Sequence, residues 1–222
     1  MPAVEAAPVA APPPAAVTGA PTSPFIALTR RTFLDARVRT LAFVYVFGVY
    51  AWLQAAGFRT TYPTAADRAA FARTFAGNDA IRLFYGYPYN VVTVGGYSAW
   101  RVGGTLAIAA AAFGLLAAVR ALRAEEDAGR AEVVLAQPVG RRTAFGSALT
   151  AIAAGATLLG AAETAGFAVA GLPLGGSAYL SLATVTLVPV FAGVGAVTSQ
   201  LAPTRRLALS LAAGAAVVSW LV

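Results

Sequence analysis

The chain has 222 residues, of which 59% are hydrophobic and 11% charged, whereas roughly 25% of the residues in an average soluble domain are charged. Its formal net charge of +7 comes from 16 basic residues, all arginine, and it contains no histidine, cysteine or lysine. These absences exclude histidine-based triads, zinc sites with the usual ligands, disulfides and, for want of lysine, a G-x-x-x-x-G-K-[ST] phosphate loop. The composition therefore predicts an integral membrane protein that takes any nucleotide energy from another polypeptide.

The amino-terminal segment, residues 1–24, is rich in alanine and proline and has neither a basic start nor an apolar core. We expect a disordered tail there rather than a signal peptide, followed by a membrane domain over residues 25–222. Directly after the tail, apolar residues such as Phe25 and Leu34 alternate with arginines. This pattern fits either an interfacial helix lying on the membrane surface or a basic flank of the first span.

Five apolar runs predict an all-α, polytopic transmembrane helical bundle, because a hydrocarbon core about 30 Å thick needs about 20 helical residues. The spans are predicted at about residues 41–57, 102–119, 144–170, 178–201 and 207–222. The last run reaches only about 24 Å at the helical rise. We therefore expect the polypeptide to continue beyond it.

The loop between the first two spans, residues 59–101, contains helical signals of its own. Thr64 and Asp67 have the spacing of a capping box, and Asn78 and Gly86 bracket a second short helix. Aromatic density of the kind found here is typical of a belt at the headgroup interface, although such side chains could also line a substrate exit. The aromatic residues concerned are Phe84, Tyr85, Tyr87, Tyr89, Tyr97 and Trp100.

The distribution of arginines sets the orientation, because cytoplasmic loops carry an excess of positive charge. With the amino terminus in the cytoplasm, eleven arginines lie inside and five outside. The loop 59–101 is then extracellular and residues 120–142 are cytoplasmic, in a multi-pass protein of the cell inner (plasma) membrane. Arginines at the ends of apolar runs indicate topology, so no nucleic-acid partner is expected.

The segment 120–142 is the most strongly charged part of the chain, with nine ionised residues, whereas residues 102–119 carry none. Glu126 and Arg130 are four apart and can pair on one helix face, and Pro138 with Gly140 ends any helix. From periodicity alone the segment is equally well interpreted as a solvated connector.

The amino-acid sequence of this segment resembles the cytoplasmic loop of bacterial ABC exporter permeases of the type 2 class. The strings are Arg123-Ala124-Glu125-Glu126, Gly129-Arg130-Ala131-Glu132 and Ala136-Gln137-Pro138-Val139-Gly140-Arg141. The resemblance extends over roughly residues 25–206 and is closest to antibiotic and polyketide exporter permeases. It implies that the segment is a coupling loop to an ATPase, formed by Arg123, Glu125, Glu126, Gly129, Arg130, Glu132, Pro138 and Arg141.

The same resemblance implies a permease that moves a hydrophobic or amphiphilic compound out of the cell. ATP would be bound by a separate ABC ATPase subunit, so no cofactor is expected in this chain. The implied partners are that subunit, the lipid bilayer, and a second permease half or a second copy of the chain.

Glu163 is the one acidic residue inside a predicted span. It lies 19 residues after Ala144, about 29 Å along a helix, so we expect it among the hydrated headgroups at the outer boundary. An intramembrane carboxyl group is nevertheless a candidate polar site. The alternatives are thus a proton- or ion-coupled secondary transporter that uses Glu163, or a structural membrane subunit of a larger complex.

Overall fold

The computed structural model describes residues 23–76, 78–127 and 140–221, and within these ranges the chain is helical with no strand. The predicted all-α fold is confirmed. In chain order the elements are α1 (Pro24–Thr61), α2 (Ala65–Ala76), α3 (Asp79–Tyr85), α4 (Val94–Ser98), a π-helical turn (Ala99–Gly103), α5 (Gly104–Asp127), α6 (Arg141–Val169), α7 (Leu174–Val185), α8 (Leu187–Leu201) and α9 (Arg205–Leu221).

Within the described ranges, four helical stretches are long and apolar enough to cross a membrane: Pro24–Thr61, Val94–Leu122, Arg141–Val169 and Leu174–Leu201. The last helix, α9, has 17 residues, which is at the lower end of the range for a full span. The predicted bundle of about five spans therefore consists of four full-length spans and this shorter helix. The helical stretch that contains the second predicted span begins at Val94, eight residues before the predicted start of that span.

Helix α1 runs without a break for 38 residues, about 57 Å at the helical rise. Within residues 24–61 there is therefore no separate interfacial helix, and the basic residues before the first predicted span belong to the same helix as that span. Pro24 lies in the first turn, where proline is well tolerated. No further proline or glycine occurs before Gly48, and the helix continues through that glycine to Thr61. Arg31 and Asp35, 3.9 Å apart and one turn from each other, add an exposed ion pair to this extension.

The helices pack closely where glycines meet backbone. Helix α1 packs most extensively on α6, and α5 packs most extensively on α8. Gly166 of α6 lies against the carbonyl of Gly48 in α1, and Gly114 of α5 lies against the carbonyl of Val188 in α8, with no room for a Cβ at Gly166 or Gly114. Small residues allow such close approach of membrane helices, as the glycines of the predicted spans suggested.

The segment after α1 begins with the two capping motifs that the sequence predicts, and both are confirmed. The Thr64 N–H donates to Asp67 Oδ2 and the Asp67 N–H donates to Thr64 Oγ1, each over 3.1 Å. The hydrogen bonds from the Thr64 side chain and backbone hold the pKa of Asp67 below its usual value. Asn78 accepts from the Ile81 N–H at the start of α3, and Gly86 ends that helix with φ of 72°.

A second, smaller core forms between these short helices and the end of α1. Tyr97 stacks on Phe58 with ring centroids 4.0 Å apart, and the indole N–H of Trp100 donates to the Gly86 carbonyl over 3.1 Å. The buried members of this aromatic core are Phe58, Phe71, Val91 and Trp100.

The anchoring belt is therefore the wrong interpretation for Trp100 and Tyr97. Trp100 is buried and Tyr97 is half-buried, because α2 and α3 fold back so that the rings of Trp100 and Tyr97 pack against protein. Tyr87 and Tyr89 are exposed, and for these two residues the belt remains a prediction.

The predicted fourth span is divided into α7 and α8 at Thr186. Pro189, in the first turn of α8, has no N–H to offer the carbonyl of Val185, so a continuous helix would lose a hydrogen bond there. Together α7 and α8 still form one stretch long enough to cross the membrane.

The orientation of the bundle can be tested by cysteine labelling. Because eleven of the 16 arginines lie on one side of the predicted spans, a cysteine replacing Thr64 should react with an impermeant maleimide in intact cells. A cysteine replacing Asp127 should react only after permeabilisation. Labelling of the Asp127 position in intact cells would reverse the topology.

The glycine contacts predict a difference between two otherwise similar substitutions. Gly166→Ala places a methyl group against the Gly48 carbonyl and should destabilise the α1–α6 pair by on the order of 1–3 kcal/mol. Gly193→Ala, at a helical glycine with open space around it, is the matched control and should leave the melting temperature unchanged or slightly raised. Thermal unfolding of the detergent-solubilised protein gives the comparison, and equal melting temperatures would contradict the close-contact interpretation.

Candidate functional site

The charged segment 120–142 joins the ends of two long helices. Helix α5 continues without a break to Asp127, eight residues past the predicted end of the span, and α6 begins at Arg141 with Gly140 as its N-cap. The backbones of Arg123, Glu125 and Glu126 thus belong to the last turns of α5, and Arg141 is the exposed first residue of α6. Four further predicted coupling residues lie outside the described residues: Gly129, Arg130, Glu132 and Pro138.

The helices on either side of this segment belong to different packed pairs. Helix α5 is held on α8 through Gly114, and α6 is held on α1 through Gly166. Residues 120–142 thus lie between a helix of one pair and a helix of the other.

A cavity of about 570 Å³ opens beside the same end of the bundle, between α1, α5 and α6. Sequence reasoning missed it, since its walls come from three segments far apart in the chain. The apolar walls include Phe43, Phe113, Leu116 and Ile152. Its charged lining residues are Arg31, Asp35, Arg39 and Arg120. The one sequence signal was that Arg39 and Arg120 flank predicted spans at the same side of the membrane.

Glu163 lies in α6, six residues before the helix ends, and its side chain is fully buried. The hydroxyl of Thr184 in α7 donates to Glu163 Oε1 over 3.2 Å. Glu163 Oε2 has no hydrogen-bond partner among the described residues. The expectation that the carboxyl group is hydrated is therefore wrong, because the turn after α6 brings α7 back over it.

The face of α7 that carries Thr184 is polar and buried. Ser177, Ser181 and Thr184 follow one another at spacings of four and three residues, which places them on one side of the helix. The hydroxyl of Ser181, like that of Ser98, has no hydrogen-bond partner among the described residues. This periodicity was the sequence signal that could have predicted a partner surface for Glu163.

The chemistry of this polar contact is limited by its surroundings. A carboxyl group buried with a single hydrogen bond is costly if charged, so its second oxygen requires a proton or a further polar partner. In its present form the contact joins α6 to α7, and hydrogen bonds of this kind between membrane helices contribute about 0.6–2 kcal/mol.

Comparison with known proteins matches residues 69–222, more than half of the chain, to the family described as "Multidrug efflux system permease Rv1217c, C-terminal domain". The multidrug efflux system permease protein Rv1217c of Mycobacterium tuberculosis (strain ATCC 25618 / H37Rv) is 31% identical to the chain over 157 residues. The aligned region covers 71% of this chain and 28% of that protein. The chain thus spans well under two thirds of the length of its relative.

The family match begins inside α2 and covers the segment 120–142, Glu163 and the walls of the cavity contributed by α5 and α6, whereas α1 lies outside it. This match confirms the exporter-permease family that was predicted from the charged segment. The four long apolar helical stretches are consistent with it. The chain belongs to the family of multidrug efflux system permeases represented by the C-terminal domain of Rv1217c.

Proposed function

We propose that this chain is a membrane-spanning permease subunit of an ATP-driven ABC exporter in the cell inner (plasma) membrane. It moves a hydrophobic or amphiphilic compound, of the antibiotic or polyketide kind, out of the cell. The broad efflux named for the mycobacterial relative supports a substrate of this class. ATP is bound and hydrolysed on a separate ABC ATPase subunit, since this chain has no lysine with which to form a phosphate loop.

The observation that carries this proposal is the placement of residues 120–142 between α5 and α6. Both helices are continuous from the predicted spans into the charged segment. A partner that closes on ATP and grips this segment would move the α5–α8 pair relative to the α1–α6 pair. A second permease half or a second copy of the chain completes the translocation path in this proposal.

A proton- or ion-coupled transporter is the second candidate, and the burial of Glu163 favours it. Among the described residues, Glu163 is the only buried acidic side chain, and one of its oxygens is without a partner. Nearby hydroxyls without partners, such as that of Ser181, are the kind of group a proton relay uses. Broken helices near the midplane are also typical of such transporters, and α7 and α8 are divided at Thr186.

A charge reversal tests the coupling role of the segment 120–142. Exchanging Glu126 and Arg130 in a Glu126→Arg/Arg130→Glu variant keeps a pair within the segment but inverts the face offered to a partner. Breaking a desolvated interfacial pair from one side costs about 2–5 kcal/mol, whereas an exposed pair is worth under about 1 kcal/mol. We expect the variant to insert normally and to lose the ATPase subunit that co-purifies with the wild-type chain.

The matched control exchanges a charge pair at the other end of the bundle. Asp79 and Arg82 of α3 form an exposed ion pair over 3.4 Å, and Asp79→Arg/Arg82→Asp should retain the ATPase. If the Glu126/Arg130 variant also retains it with unchanged ATP hydrolysis, the segment is a solvated connector. If no ATPase of the Walker type accompanies the wild-type chain, the exporter proposal itself is wrong.

Glu163→Gln separates the two candidate functions. The amide oxygen of glutamine can still accept the hydrogen bond from Thr184 but the side chain carries no exchangeable charge. For an ATP-driven exporter we expect transport within about twofold of wild type between pH 6 and 8, and no effect of a protonophore while ATP is maintained. Export of a fluorescent substrate from energised vesicles measures both.

Thr184→Val is the structural control, since it removes the hydrogen-bond donor and leaves the carboxyl group in place. This variant should lower thermal stability by about 0.6–2 kcal/mol. Proton coupling would be supported instead if Glu163→Gln abolished transport and flattened its pH profile while Thr184→Val transported normally.

A further inference from the structure

The cavity between α1, α5 and α6 has the size and shape of a ligand site. Its volume of about 570 Å³ lies inside the range of roughly 300–1,000 Å³ that small-molecule pockets occupy. Ring edges from Phe43 and Phe113, with centroids 5.2 Å apart, form part of its apolar wall. The lining segments are the arginine-bearing part of α1, the end of α5 and the start of α6, so the cavity lies at one end of the helical bundle.

The charged lining of the cavity is cationic in balance. Asp35 is the only acid among the described lining residues, and it already forms an ion pair with Arg31. Arg39 is half-buried and interacts electrostatically with the like charges of Arg120 and Arg205. Arginines brought together in this way are unfavourable for one another, and an anion between Arg39 and Arg120 would relieve that repulsion.

The Phe113 ring, which forms part of the cavity wall, packs closely against a glycine of α6. A Cβ at Gly155 would come within 2.8 Å of the Phe113 ring, so the absence of a side chain there lets the ring lie back against α6. The cavity has apolar walls at its inner end and guanidinium groups at its outer end. These two ends match the tail and the head of an amphiphile that lies in the cytoplasmic leaflet with its head at the interface.

We propose that this cavity binds amphiphiles that carry an anionic head group, with Arg39 and Arg120 contacting the head and the Phe43–Phe113 wall contacting the tail. The inference rests on the proposed exporter function and names its substrate class. A negatively charged membrane lipid has the same chemistry as an exported acidic amphiphile. The experiment therefore has to separate these two sources.

The test uses the chain with its co-purifying ATPase in phosphatidylcholine nanodiscs, and 11-(dansylamino)undecanoic acid and its methyl ester as probes. Charge-assisted hydrogen bonds to a head group should make the acid bind about tenfold or more tightly than the ester. Arg39→Gln/Arg120→Gln should bring the two affinities to within about twofold of each other. The matched control, Arg37→Gln/Arg142→Gln, removes the same net charge from exposed positions outside the cavity and should keep the preference.

A steric variant tests the location independently of charge. Ala121 is a half-buried lining residue, and Ala121→Phe should weaken binding of both acid and ester. Equal affinity of the wild type for the two probes, or a preference that survives in Arg39→Gln/Arg120→Gln, would overturn the proposal. A preference lost equally in the Arg37/Arg142 control would also overturn it, because the arginines would then act only as general surface charge.

Two further measurements identify the source of the ligand and separate this inference from the exporter proposal. Movement is measured as ATP-dependent uptake of each probe into inside-out proteoliposomes that contain the same complex. Competition by phosphatidylglycerol in the nanodisc, with no such uptake of the acid, identifies a lipid site of the proposed chemistry. ATP-dependent uptake of the acid identifies an exported substrate. Movement of the ester as fast as the acid overturns the anionic preference and leaves the exporter standing. Tight acid binding in a preparation that moves neither probe counts against the exporter and leaves the cavity assignment intact.

Discussion

The architecture depends on two backbone contacts, Gly166 against Gly48 and Gly114 against Val188. Between membrane helices there is no hydrophobic driving force, because lipid tails are as apolar as leucine, so association depends on how closely the helices approach. These contacts define two helix pairs, α1 with α6 and α5 with α8. The segment 120–142 leads from a member of one pair to a member of the other. The cavity lies at the seam between the pairs, where α5 and α6 contact each other less extensively.

The sequence predicted those parts of the fold that depend on local rules. Apolar runs bounded by arginine predicted the spans, and the Thr64–Asp67 and Asn78–Gly86 signals predicted the short helices, because caps involve residues only a few positions apart. The sequence did not predict the continuity of α1, since polar residues in its first half suggested an interface whereas nothing in the chain ends the helix before Thr61.

Long-range packing explains the remaining failures. From the sequence, Trp100 was predicted to be an interfacial aromatic and Glu163 to be hydrated. In the structure α2 and α3 pack over Trp100, and α7 covers Glu163. Rise per residue gives the depth of a side chain along its own helix but not what lies beside it. The cavity is hidden for the same reason, because Arg39 and Arg120 are 81 positions apart in the chain. The family resemblance, in contrast, was recognised from the local sequence of residues 120–142, which does not depend on packing.

The closed core constrains how any compound could pass. Phe47, Leu106, Leu159 and Val188 are fully or almost fully buried, and they come from α1, α5, α6 and α8, so both helix pairs meet there. The cavity lies on one side of this core, and the Glu163–Thr184 contact lies toward the other end of α6. Close-packed cores switch between discrete arrangements rather than deforming gradually. A route for the proposed substrate through this chain, as opposed to one completed by a second permease half or a second copy, therefore requires the α1–α6 pair to separate from the α5–α8 pair. In the proposed exporter, residues 120–142 lie between α5 and α6 at the end where the ATPase would bind, so a movement of that subunit would act on a helix of each pair.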